Sequence, residues 1–184
     1  GRLRGLVVDG VQERAVLVGM AGCGKSQLAS ALAQWCGAAG WGLVAWLNAS
    51  SAASVRSDLV ELARQLGIDT SDKPTEDEVI RRCLDYLQSA DAADRLVVFD
   101  NVEDFEDLAG VVPRGDGLRV VATSRRRDVS SAWKEVKVDV FPRPDSIAFV
   151  QSIMGTQDEK AADAVAERLG DLPLALAQAA QTAR

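Results

Sequence analysis

Residues 19–26 of the chain are Gly-Met-Ala-Gly-Cys-Gly-Lys-Ser, and this stretch decides the fold class. It fits the phosphate-loop pattern Gly-x-x-x-x-Gly-Lys-Ser, in which glycines let the backbone curl until its N–H groups point at one anion. A short apolar run, Arg14–Gly19, precedes the loop, and Lys25–Trp35 follows it with leucines one helical turn apart. A buried strand, a glycine-rich loop and a helix in this order predict a binding site for the phosphates of a nucleoside triphosphate.

The polar residues of this loop have expected roles. Lys25 is expected to reach the β- and γ-phosphates as a point charge, and the Ser26 hydroxyl is expected to ligate Mg²⁺. The residues expected to contact the nucleotide along the loop are Ala21, Gly22, Cys23, Gly24, Lys25, Ser26 and Gln27. The alternative interpretation is a glycine-rich turn that merely opens an ordinary helix, and the strand in front of the loop argues against it.

The remaining chain alternates strands with helices before Pro142 and contains only helices after it. Apolar, β-branched runs predict further strands at Gly42–Asn48, Arg95–Asp100, Leu118–Ser124 and Val136–Phe141. This order predicts an α/β fold with a three-layer, parallel, five-stranded sheet and a small helical subdomain at the C-terminal end. The expected division is a nucleotide-binding domain at 1–141 and a helical lid at 142–184.

Capping signals predict where several helices begin. Thr75 and Glu78 form a capping box in front of the helix that precedes the third strand. In the C-terminal part, Thr156 with Glu159 has the same spacing and predicts the start of another helix. The last helix is expected at Leu172–Thr182.

Two strand ends carry candidate catalytic residues. Asp100, at the end of the third strand, is expected to hold Mg²⁺ through water, together with Ser26. Asn101 stands where many ATPases have a second acid that polarises the attacking water; because an amide cannot take a proton, slow hydrolysis is expected. Arg125 follows the fourth strand and is expected to bind the γ-phosphate with its forked guanidinium. The candidate catalytic residues are therefore Lys25, Asp100 and Arg125.

The composition excludes several other kinds of chemistry. The chain has 27 acidic and 21 basic residues, a net charge of −6, and no histidine. Ser-His-Asp catalysis and histidine metal sites are therefore impossible, and the acidic balance argues against direct nucleic-acid binding. Three scattered cysteines without a secretory signal favour reduced thiols in the cytoplasm. The sequence contains no run of roughly 20 apolar residues, so no membrane span is predicted. The missing initiator Met suggests a piece of a longer polypeptide.

Four motifs, taken in order, carry a family resemblance. They are the loop at 19–26, Leu-Val-Val-Phe-Asp-Asn-Val at 96–102, Val-Val-Ala-Thr-Ser-Arg at 120–125 and Gly-Asp-Leu-Pro-Leu-Ala-Leu at 170–176. With these motifs the chain resembles NB-ARC domains, the nucleotide-binding domains of STAND ATPases, and in particular their bacterial, actinobacterial-like members. The resemblance covers about Arg14 to Ala180. It implies a P-loop NTPase sheet of the ASCE type with a helical lid of the family's ARC type.

The resemblance also implies a function. In the family, the proline of the Leu-Pro-Leu motif contacts the adenine of ATP or ADP, which falls here on Pro173, and the arginine after the fourth strand, here Arg125, senses the γ-phosphate. ADP holds such a protein closed, ATP opens it, and the full-length ATP state self-associates to activate attached sensor and effector domains.

The chain departs from the family in three places. Asp171 interrupts the family's Gly-Leu-Pro-Leu, in a spelling that bacterial members tolerate. The apolar-Gly-Arg-Glu entry motif is not visible, and the winged-helix part with its Met-His-Asp motif is absent. Weak nucleotide binding and no ADP-locked state are expected without these pieces.

Three other functions fit parts of the sequence. An AAA+-like motor acting on nucleic acid or protein would use the arginines at 125–127, but Asn101 and the acidic balance argue against it. A small-molecule or nucleotide kinase would need an arginine-rich lid and an acceptor pocket, which the sequence does not indicate. A GTPase would need an Asn-Lys-x-Asp run to bind guanine, and Asn-Val-Glu-Asp at 101–104 is not one.

Overall fold

The computed structural model of the protein describes residue 5 and residues 14–68, 72–89, 94–126 and 128–182. Its strands are β1 Arg14–Val18, β2 Leu43–Asn48, β3 Arg95–Val102, β4 Leu118–Ser124 and β5 Lys134–Lys137. Its main helices are α1 Lys25–Ala38, α2 Ala52–Gln65, α3 Glu76–Gln88, α4 Arg143–Met154, α5 Glu159–Arg168 and α6 Pro173–Thr182. A short 3₁₀ helix, Phe105–Leu108, follows β3. Within the described ranges, no helix has the length and apolar character needed to cross a membrane.

The strands form one sheet in the order β2-β3-β4-β1-β5. The pairs β1–β4, β3–β4 and β2–β3 are all parallel. Helices connect β1 to β2 and β2 to β3, whereas the segment between β3 and β4 contains only the 3₁₀ helix. β3 is buried on both faces, because every residue from Arg95 to Phe99 is at most 1% exposed. A parallel sheet covered on both faces is the middle layer of an α/β fold. The predicted α/β fold with a parallel five-stranded sheet is confirmed.

The hydrophobic core on one face of the sheet explains the positions of α2 and α3. Phe99 of β3, Leu59 of α2 and Ile80 of α3 belong to one buried cluster. α3 begins with the predicted capping box: the Thr75 side chain accepts from the backbone N–H of Glu78, and the Glu78 carboxylate accepts from that of Thr75. This prediction is confirmed.

The fifth strand corrects the prediction from sequence. A strand was expected at Val136–Phe141, but β5 spans Lys134–Lys137, and residues 138–141 lie outside it. Valine recurs at alternate positions of the predicted run, which is typical of a strand. The end of a strand is set by where its neighbour in the sheet offers partners, and periodicity along one segment does not contain that information.

The start of α5 is a second correction. The helix is capped by Asp158, whose side chain accepts from the backbone N–H of Ala161. The Thr156 hydroxyl accepts from the N–H of Asp158, before the helix begins, so the capping role predicted for Thr156 is wrong. A carboxylate at this position also interacts favourably with the positive end of the helix dipole.

The chain forms two compact units. One consists of Gly1–Val18 and Ser26–Val136, and the other of Gly19–Lys25 and Lys137–Arg184. The second unit therefore contains most of the phosphate loop as well as α4, α5 and α6. These helices have a hydrophobic core of their own, formed by Val150, Ala162, Ala166 and Leu176.

Candidate functional site

The phosphate loop has a backbone conformation that requires glycine. Gly22 has φ 79° and Gly24 has φ 95°, in the left-handed region where a Cβ is strained. Gly19 is required for a different reason: a Cβ there would collide with the Val138 carbonyl oxygen and lie 2.8 Å from the Cys23 Sγ. The loop therefore needs the two glycines that the motif specifies, Gly19 and Gly24, and also Gly22 at one of the variable positions, in order to curl around an anion.

Lys25 is held over the loop by backbone carbonyls. Its Nζ donates to the carbonyl oxygen of Gly19 at 2.9 Å and to that of Met20 at 2.8 Å. An ammonium has three N–H groups, so one remains for an anion apart from a weak contact with the Cys23 Sγ at 4.0 Å. The charge is therefore fixed beside the loop, with one N–H still available to an anion. Ala21 and Gln27, the outer members of the predicted contact set, are both exposed.

The N-terminus of α6 contacts the phosphate loop directly. Pro173 is its first residue, and the next backbone N–H, that of Leu174, donates to the Gly22 carbonyl oxygen at 3.1 Å. A Cβ added at Gly22 would stand 3.2 Å from the Leu174 Cβ and 3.4 Å from a methyl group of Leu172. The helix start and the loop therefore fit together closely, with no room for a side chain at position 22.

An ion-pair cluster fixes the segment before α6. Arg143 makes a forked pair with Asp171, its Nε and Nη2 donating to the two carboxylate oxygens at 2.9 and 3.0 Å, and its Nη1 donates to Asp163 at 3.0 Å. The guanidinium of Arg143 is the main cause that lowers the pKa of the Asp171 carboxyl from its ordinary value. Asp171 has φ 57°, and its carbonyl oxygen accepts from the Phe141 N–H. Asp171 thus holds the segment before α6 in place through its ion pair and its carbonyl oxygen. In the sequence, it is visible only as a departure from Gly-Leu-Pro-Leu.

Asp100, Ser26 and Thr123 meet at the carboxyl end of β3. The Ser26 Oγ donates to the Asp100 Oδ1 at 2.7 Å, and the Thr123 Oγ1 donates to the same oxygen at 2.6 Å. Because the only hydroxyl proton of Ser26 goes to the carboxylate, its lone pairs are free for a cation. Ser26 and Asp100 are identified by their motifs, whereas the motif at 120–125 predicts a role for Arg125 and none for Thr123. Its only sequence signal is a hydroxyl near the end of the strand that follows β3.

Arg125 lies just beyond β4, and its side chain is 60% exposed. Its Nη2 is 3.5 Å from the Glu103 Oε1, a contact at the limit of a hydrogen bond. An exposed pair of this kind is worth at most about 1 kcal/mol, so it does not hold the guanidinium away from a stronger anion. Arg126, next in the chain, pairs instead with Asp128 and Asp104.

The donor set suits Mg²⁺ bound together with nucleotide. Such an ion takes one or two carboxylates, a hydroxyl, waters and phosphate oxygens, and Ser26 with Asp100 supplies the protein part of that set. Within the described ranges, no three or more Asp, Glu, Cys or His side chains are grouped as a separate metal site. The three cysteines are free and buried, and burial is the main cause that raises the pKa of the Cys36 and Cys83 thiols to about 11.

Comparison with known protein families gives one match over most of the chain. The model of the NB-ARC domain family matches residues 4–163. Among curated proteins, none is significantly similar in sequence.

Comparison with solved structures gives similar folds at low sequence identity. A Signal Transduction ATPase with Numerous Domains (STAND) protein with a tetratricopeptide repeat sensor, from Pyrococcus horikoshii, has a TM-score of 0.64 at 17% identity, over 96% of this chain and 28% of that one. The Drosophila ORC bound to DNA has a TM-score of 0.66 at 16% identity, over 99% and 58%. Cdc6p from Pyrobaculum aerophilum has a TM-score of 0.61 at 14% identity, over 92% of this chain and 56% of that one. At these identities the similarity establishes the fold, and the chain spans less than two thirds of each of these proteins.

Proposed function

Because the chain belongs to the NB-ARC family, we propose that it is the ATP- and ADP-binding switch domain of a STAND signalling or regulatory protein. In this proposal, residues 1–141 form the nucleotide-binding domain, and residues 142–184 form the helical lid that contributes Pro173 to the nucleotide site. The full-length protein self-associates in its ATP state and carries sensor and effector domains outside this chain.

The nucleotide is held by groups that the chain already orders. The loop N–H groups and the remaining N–H of Lys25 bind the phosphates, Pro173 contacts the adenine, and Ser26 with Asp100 holds Mg²⁺. When bound, Mg²⁺ supplies positive charge that neutralises the phosphate oxygens. Since the lysine and the hydroxyl–carboxylate pair are ordered by hydrogen bonds within the chain, little side-chain entropy is lost on binding.

The observation that carries the switch is the hydrogen bond from the Leu174 N–H to the Gly22 carbonyl oxygen. It ties the start of the lid helix α6 to the loop that surrounds the phosphates. A ligand shifts a conformational equilibrium only by contacts that differ between two states. A γ-phosphate that changes the position of the Gly22 peptide changes this contact with α6, and thereby the lid.

Arg125 is proposed to distinguish ATP from ADP by binding the γ-phosphate. Binding of ATP and ADP to the Arg125→Ala variant tests this, with Arg126→Ala as the matched control, since Arg126 is a neighbouring exposed arginine paired elsewhere. A charged hydrogen bond is worth about 1.5–3 kcal/mol. Arg125→Ala is therefore expected to reduce the preference for ATP over ADP by roughly tenfold or more, and Arg126→Ala to leave it unchanged. An unchanged preference for ATP over ADP in Arg125→Ala would contradict the proposed role of Arg125 as the γ-phosphate sensor.

Hydrolysis is proposed to be slow. Asn101, after Asp100, cannot act as a general base, and a slow reaction suits a switch whose state must persist. Phosphate release at saturating Mg-ATP distinguishes this from an AAA+-like motor on nucleic acid or protein. A turnover above about 1 s⁻¹ would favour the motor, in the usual range of working ATPases.

The partners follow from the same proposal. The nucleotide is the direct ligand, and no direct nucleic-acid binding is proposed, because the chain is acidic with a net charge of −6. We place the domain in the cytoplasm, where its three free cysteines stay reduced.

A further inference from the structure

Thr123 is the least exposed polar group beside the proposed metal carboxylate. Its side chain lies at the end of β4 and is 1% exposed. Its hydroxyl acts both as donor and as acceptor: it donates to the Asp100 Oδ1 at 2.6 Å and accepts from the Asn101 N–H at 2.8 Å. A buried hydroxyl with both partners in place holds a single orientation, because any rotation would leave a buried polar group unpaired.

The Asn101 N–H reaches Thr123 because the backbone turns there. Asn101 has φ 62°, and the β3–β4 register shifts between Phe99 and Val102. Asparagine is one of the few residues besides glycine that adopt the left-handed region readily, and surrounding contacts hold it in that one conformation. The bond to Thr123 is such a contact, so the threonine fixes both the Asp100 side chain and the peptide that follows it.

Two hydroxyls converge on one carboxylate oxygen of Asp100. Ser26 and Thr123 both donate to Oδ1, while Oδ2 accepts no hydrogen bond from any residue in the described part of the chain. The two donors on Oδ1 restrain the orientation of the carboxylate, and Oδ2 would be the oxygen that accepts from a metal-bound water.

We propose that Thr123 is a positioning residue for the metal site: it fixes the orientation of the Asp100 carboxylate and thereby sets how strongly Mg²⁺ and nucleotide assist each other's binding. This inference rests on the proposed function, since it concerns the same site. It predicts an effect on metal–nucleotide coupling that differs from the effect of losing a buried hydroxyl elsewhere.

The test measures the affinity of a fluorescent ADP analogue in Mg²⁺ and in EDTA. The coupling is the Kd in EDTA divided by the Kd in Mg²⁺, so a larger ratio means that Mg²⁺ assists nucleotide binding more. In Thr123→Val, which keeps the shape and loses the hydroxyl, the ratio is expected to fall about tenfold, the lower end of losses for groups that orient metal ligands. The Kd in EDTA is expected to change little, because Asp100 then holds no metal ion. Thr123→Ser keeps the hydroxyl and is expected to retain the wild-type ratio.

The matched control is Ser124→Ala. Ser124 is the next residue on β4, is equally buried, and donates to the Val102 carbonyl oxygen at 2.7 Å without touching Asp100. It is expected to lower thermal stability like Thr123→Val but to keep the coupling ratio. If the valine variant does not fold, Thr123→Ala carries the same expectation without a new methyl group beside the carboxylate.

The outcomes separate this inference from the proposed function. No binding of the analogue by the wild-type chain would overturn the proposed function and this inference with it. Binding with a wild-type ratio in the hydroxyl-free variants would overturn the role of Thr123 alone. An equal fall in Ser124→Ala would also overturn it, because the effect would then belong to the strand end in general.

Discussion

Replacing Arg95 with Met removes a buried positive charge from the start of β3. Arg95 is 1% exposed, and its guanidinium donates to three carbonyl oxygens: those of Leu87 at 2.6 Å, Ser89 at 3.0 Å and Asp116 at 2.8 Å. Its Nε has no hydrogen-bond partner within the described chain. Two of the carbonyls belong to the C-terminal end of α3, where the helix dipole favours a cation.

The expected loss of stability follows from comparing the site with Arg95 in place and the site after substitution. Three hydrogen bonds from a charged donor contribute about 1.5–3 kcal/mol each. Burying the guanidinium and leaving Nε unpaired cancels several kcal/mol of that gain. After substitution, the buried Leu87 carbonyl has lost its donor, at a cost of about 1–3 kcal/mol, while the carbonyls of the exposed residues Ser89 and Asp116 can turn to water. We expect Arg95→Met to lower the free energy of unfolding by about 2–3 kcal/mol.

Arg95→Lys separates charge from geometry. An ammonium on a shorter stem cannot reach three carbonyls in fixed directions, yet it still carries the cost of burial, so this variant is expected to be less stable than Arg95→Met. Urea unfolding followed by tryptophan fluorescence is the assay, since all four tryptophans lie in the unit that contains Arg95. Arg81→Met on the exposed face of α3 is the control and should change stability by less than about 0.5 kcal/mol. A wild-type stability in Arg95→Met, or a lysine variant as stable as wild type, would refute this reasoning.

Two further predictions concern the second unit. Gly22→Ala should weaken nucleotide binding at least tenfold, because the φ of 79° at this position strains an alanine and the new Cβ would meet Leu174. Gly40→Ala is the control: Gly40 has φ 80° with open space around it, so an alanine there has a similar backbone cost. This control should bind nucleotide like the wild type in the same titration. Asp171→Asn should lower the melting temperature at pH 7, and the gap to wild type should close as the pH falls through the lowered pKa of Asp171. A carboxyl whose pKa is lowered by Arg143 contributes stability above its ordinary pKa of 3.8 and loses it on protonation, so a gap that stays constant down to pH 2 would contradict the role of this pair.

The parts of the fold that depend on neighbouring residues in the chain were predictable. The phosphate loop, the apolar strands around it and the capping box at Thr75 all rest on short sequence patterns with a direct physical cause. The end of β5 could not be predicted from the sequence, because a strand ends where its neighbour in the sheet stops offering hydrogen-bond partners.

The candidate site divides in the same way. Lys25, Ser26 and Asp100 belong to motifs whose residue types and spacing state the chemistry. Thr123 and Arg143 act through partners more than 20 positions away, at Asp100 and Asp171. Whether a threonine hydroxyl meets a carboxylate depends on the register between two strands, and whether an arginine forks onto an aspartate depends on how helices pack. Neither is encoded in a local pattern.

Calorimetric titration of Mg-ATP into the wild-type chain and into Lys25→Ala tests the central claim most directly. The control is Lys134→Ala, which removes an exposed lysine from β5. Saturable binding at one site per chain is expected for the wild type and the control, with affinity at least tenfold lower in Lys25→Ala, since a charged contact to phosphate is worth about 1.5–3 kcal/mol. Wild-type affinity in Lys25→Ala, or no saturable binding by the wild-type chain, would contradict the account.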